Sequence, residues 1–331
     1  MLLACLDSLA VQTFSDFEVV VVDNGSTDGS VEYLRSLAFR RPLRLIENSE
    51  NRGFCAANNQ GFAAAEGEFF ALLNNDAEAD PGWLQAMYDA ISLKPAVGES
   101  DVGMIASKVL VWENPATIDK CGHLIYPDGQ NRGRGAGQTD RGQFDRMEEA
   151  LWPDGCACLY RRAMLDEVGG FDEQFFAYAD DAELGLRARI AGWNCLYAPG
   201  AVVRHHRGAT LGLNSARRLT LIERNRVLLV AKLFPWNLLW LNGAYHLARI
   251  GAGAIAALRN KGEIRRYQGP MGKLTAALAL MRGTASALPL LPSMYRKRRV
   301  FQSRHRLSPQ QVRRLLLRFR IRLRELSENS T

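Results

Sequence analysis

The sequence has no CxxC pair among its six cysteines, and it opens without the basic stretch of a secretory signal. The scattered cysteines therefore indicate no disulfide framework, and we expect reduced thiols in a cytosolic protein. The first residues also lack a GxG-type loop followed by a basic residue, which argues against a sugar nucleotidyltransferase.

Long apolar runs are missing as well. A membrane-spanning helix needs roughly 20 apolar residues. The longest uncharged stretch of the apolar C-terminal region, residues 233–248, has 16, and the stretch 274–295 is interrupted by Arg282, Pro289 and Pro292. Basic flanks with Trp and Tyr are typical of helices that lie in the membrane interface. The alternative is that these helices pack on the rest of the protein.

Acidic residues are absent from residues 296–324, which contain twelve Lys or Arg. The remainder has 30 basic and 35 acidic residues, so the net charge of +7 comes from this tail. A basic tail on a mildly acidic body predicts an anionic partner, either a membrane or a nucleic acid. In residues 312–326, Arg alternates with Leu, Phe and Ile, which is typical of a basic amphipathic helix. Because no nucleic-acid-binding motif accompanies it, we expect an anionic membrane surface and no nucleic acid.

Short apolar runs alternate with helical patterns in the first 100 residues. Strands are predicted at 17–22, 43–47 and 69–73. This alternation predicts an α/β fold, a mostly parallel sheet with helices on its faces. Residues 128–145 are rich in Gly, Asp and Arg, which predicts a mobile surface loop. We expect a catalytic domain over residues 1–215 and a helical, hydrophobic and basic region over 216–331.

Polar side chains follow the apolar run 69–73. Asn74, Asn75 and Asp76 come directly after it, and further carboxylates follow within four residues. The carboxyl end of a central strand is where open α/β sheets bind ligands. Oxygen ligands suit Mg²⁺ or Mn²⁺, and these ions bind diphosphates. The alternative is an acidic turn that caps the next helix.

Four stretches in order resemble the family 2 glycosyltransferases, inverting enzymes of the GT-A fold, and more narrowly their bacterial rhamnosyltransferase-like branch. They are FEVVVVDNGSTDGS, ENSENRGFCAANNQGFAAAEGEFFALLNNDAEADPGWL, GCACLYRRAMLDEVGGFDEQFFAYADDAELGLRARIAGW and the HH of VVRHHRG, over roughly residues 2–208. The C-terminal third matches only in its hydrophobic and basic character.

The resemblance implies a GT-A-type, Rossmann-like sheet with a membrane-associated C-terminal appendage. It implies a dTDP- or UDP-linked sugar as donor and Mn²⁺ or Mg²⁺ as cofactor. The acceptor is a polysaccharide or a lipid-linked glycan. The implied location is the cytoplasmic, inner face of a bacterial plasma membrane, where the protein is peripheral.

The resemblance assigns the donor side of the site by position. Asp23 matches the carboxylate that accepts a hydrogen bond from the uracil or thymine ring. Asn51, Gly53 and Asn58 match the stretch that lies against the nucleotide, where glycine permits close backbone approach. The alternatives are a turn residue for Asp23 and a structural helix residue for Asn58.

The resemblance also assigns a metal site. Asn74-Asn75-Asp76 occupies the DXD position, with Asn in place of the first acid, so Asp76 is the main protein carboxylate on the metal. His205 falls where a metal-binding His follows the catalytic helix in some relatives, and His206 is its alternative. Adjacent side chains on a strand point to opposite faces, so we expect one of the two to serve, unless neither is a ligand.

Asp180 and Asp181 correspond to the family's Glu-Asp pair. Asp181 is then the general base, and Asp180 is a carboxylate favoured at a helix N-terminus. Glu183 is expected to hold the acceptor or a loop. Trp152 and Gly155 lie where the acceptor site begins, and Trp152 either stacks on a sugar ring or belongs to the core.

One element of the family pattern is missing. Family members begin with a strand that reads roughly VSVVIVTYN, and its end touches the nucleotide base. This chain begins at the helix that follows, which predicts a truncated start and an unpaired edge on the strand 17–22. The departure keeps open a second hypothesis, a non-catalytic membrane-associated binding or assembly protein of the same fold.

Overall fold

The structure, a computed structural model, describes residues 1–93, 100–207, 215–259, 261 and 269–328. Its strands are β1 (Val19–Asp23), β2 (Leu43–Glu47), β3 (Phe69–Leu73), β4 (Ala77–Ala79), β5 (Val102–Val111), β6 (Asn114–Lys120), β7 (His123–Ile125), β8 (Asn131–Gly133), β9 (Glu148–Glu149), β10 (Ala157–Arg161) and β11 (Asn194–His205). Its helices are α1 (Leu2–Ala10), α2 (Ser30–Ser36), α3 (Gly53–Ala64), α4 (Trp83–Ile91), α5 (Arg162–Val168), α6 (Asp180–Ile190), α7 (Ala216–Leu233), α8 (Trp236–Leu258), α9 (Gly269–Ala287), α10 (Leu291–Phe301), α11 (Pro309–Arg318) and α12 (Leu323–Glu328).

The α/β fold class is confirmed, and the strand directions need a correction. The central sheet has the order β3-β10-β5-β11-β4, with β6 added to β5 and β9 added to β11. Among the described strands of this sheet, only β5 and β11 pair in parallel, and every other pair, including those of β10 with β3 and β5, is antiparallel. The sheet is therefore mixed and not mostly parallel. The N-terminal βαβαβ order is as predicted, and β1 and β2 pair in parallel.

The strand β1 has a free edge, as predicted. Among the described strands, β1 pairs with β2 and β3 pairs with β10, and no strand lies between β1 and β3. The starts of β1 and β3 lie side by side, because the backbone N–H of Glu66 donates to the Glu18 carboxylate at 2.6 Å. Both strands line one cleft of 1620 Å³, with α1 and α3 residues also in its walls. A groove between two strand edges therefore runs into the cleft.

The core lies on both faces of β5, β10 and β11, and the C-terminal helices belong to it. Phe234 after α7, Met294 and Phe301 of α10 and Leu316 of α11 are buried in the same cluster as the sheet residues. The division into 1–215 and 216–331 stays a prediction based on composition. Both regions contribute side chains to one continuous core.

The apolar face of the basic tail packs on the protein, so this face is not free to enter a membrane, and contact of the tail with an anionic membrane surface stays a prediction. Its buried residues are Val312, Leu315, Leu316, Phe319 and Ile321. Ile125 of β7 exchanges two backbone hydrogen bonds of 3.0 Å with Phe319 and Ile321. This apolar face is therefore covered by tertiary contacts, and the arginines between these residues are exposed.

The segment 128–145 is an ordered part of the fold and not a mobile loop. Strand β8 pairs with β7, and Asp128 has no exposed surface. The Asp128 carboxylate accepts from Arg249 of α8 at 2.5 Å, and its carbonyl accepts from Arg226 of α7 at 2.6 Å. Burial opposes the charge of Asp128, but the hydrogen bond of His246 and the two arginines outweigh it and lower its pKa to about 2. Distant arginines thus order a segment that has few apolar residues of its own.

Helix α9, a 3₁₀ turn at Leu288–Leu290 and α10 form one helical run. By length and composition, residues 271–304 could cross a membrane, with a mean hydropathy of 1.4 and 22% burial in the most apolar window. This corrects the expectation that the prolines interrupt the stretch. Pro289 and Pro292 lie in the first turns of their helical pieces, where a missing N–H leaves no hydrogen bond broken.

Candidate active site

The cleft between β1 and β3 reaches the carboxyl ends of both strands and the N-terminus of α6. The predicted site residues that line it are Asp23, Asn51, Gly53, Asn58, Asn74, Asn75, Gly155, Asp180, Asp181 and His205. Asp76 adjoins them through His205. Trp152 and Glu183 do not line the cleft. The fold therefore brings together residues that lie up to 182 positions apart.

Asp23 and Asn51 are fixed by short-range hydrogen bonds at the mouth of β1. The Asp23 carboxylate oxygen Oδ2 accepts from the backbone N–H groups of Gly25 and Ser26, both at 3.0 Å. The side-chain oxygen of Asn51 accepts from Asn24 at 3.1 Å and from the backbone N–H of Gly53 at 2.9 Å. Asp23 is therefore a turn residue whose turn also holds it in the cleft.

Gly53 starts α3 at a position that no other residue fits well. Its φ is +85°, and a Cβ there would lie 2.5 Å from the ring of Phe176. Phe176, Tyr178 and Ala179 also have positive φ values, between 54° and 70°. Backbone strain of this kind is common beside functional sites. Asn58, further along α3, donates to the Phe54 carbonyl at 2.9 Å, as a structural helix residue does, while it lines the cleft.

The strained segment before α6 is held by a residue that sequence reasoning missed. Asn225 of α7 is fully buried, and its amide donates to the carbonyl oxygens of Phe175, Ala177 and Tyr178 at 2.6 to 2.9 Å. No motif marks Asn225 in the sequence. Its role follows only from the packing of α7 against the start of α6.

Asp76 and His205 form the candidate metal centre. Oδ1 of Asp76 is buried, accepts no hydrogen bond from any described residue, and lies 3.4 Å from Nε2 of His205. A carboxylate oxygen without a partner beside an imidazole nitrogen suits Mn²⁺ or Mg²⁺. His206 lies elsewhere, stacked on Trp112 at 4.1 Å between ring centroids. Of the two histidines, His205 is the one in the cleft.

The other imidazole nitrogen of His205 contacts Asp119, at 3.2 Å from Oδ2. Burial disfavours the charged imidazolium, but the hydrogen bond with Asp119 and the nearby carboxylate of Asp76 outweigh burial and raise the pKa of His205 to about 9. Asp119 thus fixes the ring orientation, as partners of metal-binding histidines commonly do.

Asp180 and Asp181 are the first residues of α6, and both are buried. Burial raises the pKa of both carboxyl groups, and the charge of Asp181 raises that of Asp180 further, well above its ordinary value. Two neighbouring buried carboxyls do not both ionise easily. Asp180 therefore holds the proton first, and Asp181 is the carboxylate that ionises.

Gly155 keeps the approach to Asp181 open. A Cβ on Gly155 would lie 3.1 Å from the Phe54 ring and 3.9 Å from the Asp181 Cβ. A side chain at this position would therefore crowd Phe54 of helix α3 and would contact Asp181 at the start of α6.

Trp152 and Glu183 do not face the acceptor, which corrects two predictions. Trp152 is fully buried behind His123 and packs against Gly185 of α6, so the core alternative is the right one. Glu183 is fully buried and pairs with Arg187 at 2.8 Å and Lys232 at 2.7 Å. Because Arg187 also donates to the carbonyl of Gly170 at 2.6 Å, Glu183 helps to hold a loop and not the acceptor.

Two buried side chains beside Asp181, those of His123 and Asp154, were not predicted from the sequence. Nε2 of His123 lies 3.0 Å from Oδ2 of Asp154 and 3.5 Å from Oδ2 of Asp181. These three ligand atoms lie within 4.8 Å of one another, a spacing that could hold a metal ion. The ammonium of Lys120, however, already lies 2.8 Å from Asp154 Oδ2 and supplies positive charge there. Asp76 has no lysine or arginine partner among the described residues, so its buried oxygen Oδ1 is the better candidate to bind a cation.

The fold and the cleft, taken with the comparisons below, define a glycosyltransferase of the GT-A type. The chain belongs to Glycosyl transferase family 2, whose profile matches residues 1–169, just over half of the sequence. Residues 139–284 match the profile of Glycosyl transferase family group 2.

Three individual proteins illustrate the similarity. The N-acetylglucosaminyl-diphospho-decaprenol L-rhamnosyltransferase of Mycobacterium tuberculosis is 28% identical over 246 residues, which are 68% of this chain and 78% of that protein. The O-antigen biosynthesis protein RfbC of Myxococcus xanthus is 27% identical over 70% of this chain and 18% of its own length. The crystal structure of GalNAc-T7 with UDP, GalNAc and Mn²⁺ superposes with a TM-score of 0.51 at 13% identity, over 84% of this chain and 52% of that one, which shows the shared fold.

Proposed function

We propose that this protein transfers a sugar, with inversion, from a dTDP- or UDP-linked donor to a glycan or lipid-linked acceptor at the membrane. The observation that carries the proposal is one cleft lined by both Asp181 and His205, with the buried carboxylate oxygen Oδ1 of Asp76 at 3.4 Å from Nε2 of His205. The mycobacterial relative is named for rhamnose transfer to a diphospho-decaprenol-linked sugar. Rhamnose and a polyprenyl diphosphate-linked acceptor are therefore the first substrates to test.

Asp181 is the general base in this proposal. Its ionised carboxylate takes the proton of the acceptor hydroxyl, whose oxygen attacks the anomeric carbon while the bond to the nucleoside diphosphate breaks. A single displacement inverts the anomeric centre and needs one base. Burial of Asp181 raises its pKa toward working pH, which favours proton transfer.

The donor is proposed to lie along the carboxyl ends of β1 and β3. Asp23 and Asn51 would contact the base, Gly53 and Asn58 would line the nucleotide, and Asn74 and Asn75 would approach the diphosphate. A divalent ion held by Asp76 and His205 would neutralise the charge that develops on the leaving diphosphate. These roles are the ones that the family resemblance implies, and all of these residues except Asp76 line the cleft.

The decisive experiment is turnover with purified protein. We expect release of dTDP or UDP from dTDP-rhamnose or a UDP-sugar, in the presence of Mn²⁺ or Mg²⁺ and a polyprenyl-diphosphate-linked GlcNAc acceptor. We also expect a product with the anomeric configuration opposite to the donor, read by NMR, and no turnover after chelation with EDTA.

The free edge of β1 favours a second candidate, a non-catalytic binding or assembly protein of the same fold. Calorimetric titration with UDP and dTDP in the presence of Mn²⁺ separates the two functions. Absence of nucleotide binding together with absence of turnover would establish the second candidate and exclude the first.

A membrane surface is the proposed partner of the C-terminal helices at the cytoplasmic face. On α8 and α9, Trp240, Leu247, Met271 and Met281 each expose 69–86% of their surface. Exposed arginines of α10 lie nearby in the chain, and aromatic and basic residues together favour the interface of an anionic bilayer.

Flotation with lipid vesicles tests this partner. We expect the protein to float with vesicles that contain anionic lipid, and less with neutral ones. The double variant Trp240→Ser, Leu247→Ser should reduce flotation, whereas Leu3→Ser, a matched exposed leucine on α1, should not. Retention on DNA without flotation on anionic vesicles would reverse the assignment of the partner.

A further inference from the structure

Six contacts connect the two ends of the cleft through buried polar side chains. The contacts begin at Asp181, and each distance is measured from the residue named before. They are His123 at 3.5 Å, Asp154 at 3.0 Å, Lys120 at 2.8 Å, Asp119 at 3.5 Å, His205 at 3.2 Å and Asp76 at 3.4 Å. Side-chain exposure in this chain of contacts is between 4% and 18%. Buried polar groups in such numbers rarely serve packing alone.

At the Asp181 end of this series of contacts, the surroundings disfavour the ionised carboxylate. A base must be ionised, but Asp181 is buried beside the carboxyls of Asp180 and Asp154. The titratable and charged groups that surround it are Asp180 of α6, His123 of β7, Lys120 of β6, Asp154 ahead of β10, and Cys158 and Tyr160 of β10. Burial raises the pKa values of Cys158 and Tyr160 well above their ordinary values, so both are neutral at pH 7.

His123 is the group best placed to solve this problem. Burial raises the pKa of Asp181, and His123 opposes this increase more strongly than any other group, ahead of Lys120. Nε2 of His123 lies between the Asp154 and Asp181 oxygens, while Nδ1 is buried with no hydrogen-bond partner among the described residues. The ring is fixed by stacking on Trp152, with 24° between the ring planes.

We propose that His123, held by Asp154 and Trp152, is a positioning residue that keeps Asp181 ionised and directed at the acceptor. This proposal rests on the proposed function, because it gives Asp181 the role of base. His123 does not itself touch the reacting atoms. It acts through Asp181, in the way that a buried partner orients and charges a catalytic side chain.

Lys120 and Asp154 explain why a histidine suits this position. Asp154 Oδ2 accepts from both Lys120 and His123, and these two groups hold the pKa of Asp154 well below its ordinary value despite burial. A permanently ionised Asp154 attracts the imidazole proton to Nε2, which is the nitrogen that faces Asp181. The arrangement thus selects the tautomer that can donate toward the base.

The test is the pH dependence of kcat/KM in three proteins: wild type, His123→Ala and His123→Gln. Without the imidazole, the pKa of Asp181 rises, so the acidic limb of the profile moves to higher pH. Activity at pH 7 then falls about tenfold for each unit of this shift and recovers as the pH is raised. Gln keeps a donor but cannot take up a proton, so His123→Gln should show the same limb but a higher plateau than His123→Ala. The donor KM should remain unchanged.

Two further variants sharpen the result. Adding Asp154→Asn to His123→Ala removes a negative charge beside Asp181, so the acidic limb should move back toward that of wild type. His246→Ala is the matched control, since His246 lies beside Asp128 and Glu223, away from Asp181. Its acidic limb should equal that of wild type.

Several outcomes would overturn the proposal. A loss of activity in His123→Ala that is equal at every pH would make the role one of packing, and no loss would make His123 a bystander. A weaker Mn²⁺ affinity in His123→Ala, measured by calorimetry, would make it a metal ligand. Failure of the base assignment is seen separately, as full turnover by Asp181→Asn. The imidazole ¹⁵N shifts of His123, which need no turnover, should change in Asp181→Asn.

Discussion

Asp181→Asn is expected to lower kcat by about a thousandfold while leaving the affinity for UDP or dTDP unchanged. Positioned general bases contribute about 10²–10⁴-fold to the rate, and Asn keeps the shape of Asp but cannot accept the acceptor proton. The carboxylate lies at the start of α6 and lines the same cleft as the turn around Asp23, which is proposed to receive the nucleobase of the donor. Single-turnover kinetics and calorimetric titration with the nucleotide measure the two quantities.

Asp180→Asn is the matched control for this experiment. Burial and the charge of Asp181 hold the pKa of Asp180 well above its ordinary value, which favours the neutral, protonated carboxyl. Asn is then nearly isosteric and isoelectronic with the group it replaces, and we expect a change in kcat of less than about tenfold. If Asp180→Asn loses activity and Asp181→Asn keeps it, the two residues exchange roles.

Asp76→Asn is expected to weaken Mn²⁺ binding by at least about 100-fold and to remove turnover at micromolar metal. Partners of metal ligands alone contribute about 10–100-fold to affinity, and a direct carboxylate ligand contributes more. The Asp76 oxygen that faces His205 has no other partner among the described residues, so Asn would leave the ion without its main anionic ligand. Electron paramagnetic resonance of free Mn²⁺ gives the affinity directly.

Asp80→Asn provides the comparison, because Asp80 is a carboxylate four residues further along the chain. It is 41% exposed and pairs with Arg204 at 3.0 Å, away from the proposed site. Exposed pairs of this kind contribute about 0–1 kcal/mol, so neither metal affinity nor turnover should change. Unchanged Mn²⁺ affinity in Asp76→Asn would refute the assignment of the metal centre and would direct attention to His123, Asp154 and Asp181.

The local pattern of the chain was sufficient to predict the strands that carry the site. Strands β2 and β3 begin and end at the predicted residues, because an apolar run between polar turns is a short-range signal. The polar residues at the ends of β1 and β3 and at the start of α6 were also identified, and the fold gathers them in one cleft. Their individual roles remain proposals.

The side chains that contact Asp181 from distant parts of the sequence could not be predicted from the sequence. His123, Asp154 and Lys120 belong to no motif, and they meet Asp181 only because β6, β7 and the segment before β10 converge on α6. In the same way, Asn225 of α7 donates to the loop before α6, although composition predicts that α7 belongs to the separate region 216–331.

The sequence by itself determined the order of the elements, the ends of the main strands and the clustering of carboxylates where those strands stop. Only the tertiary structure decided which side chains face the cleft: Trp152 and Glu183 turn into the core, and the apolar face of the basic tail is covered by β7. The physical reason is range. Hydrophobic periodicity and turn-forming residues are signals over a few neighbouring residues. The burial of a side chain depends on helices and strands that pack against it, and some of these lie more than a hundred residues away in the sequence.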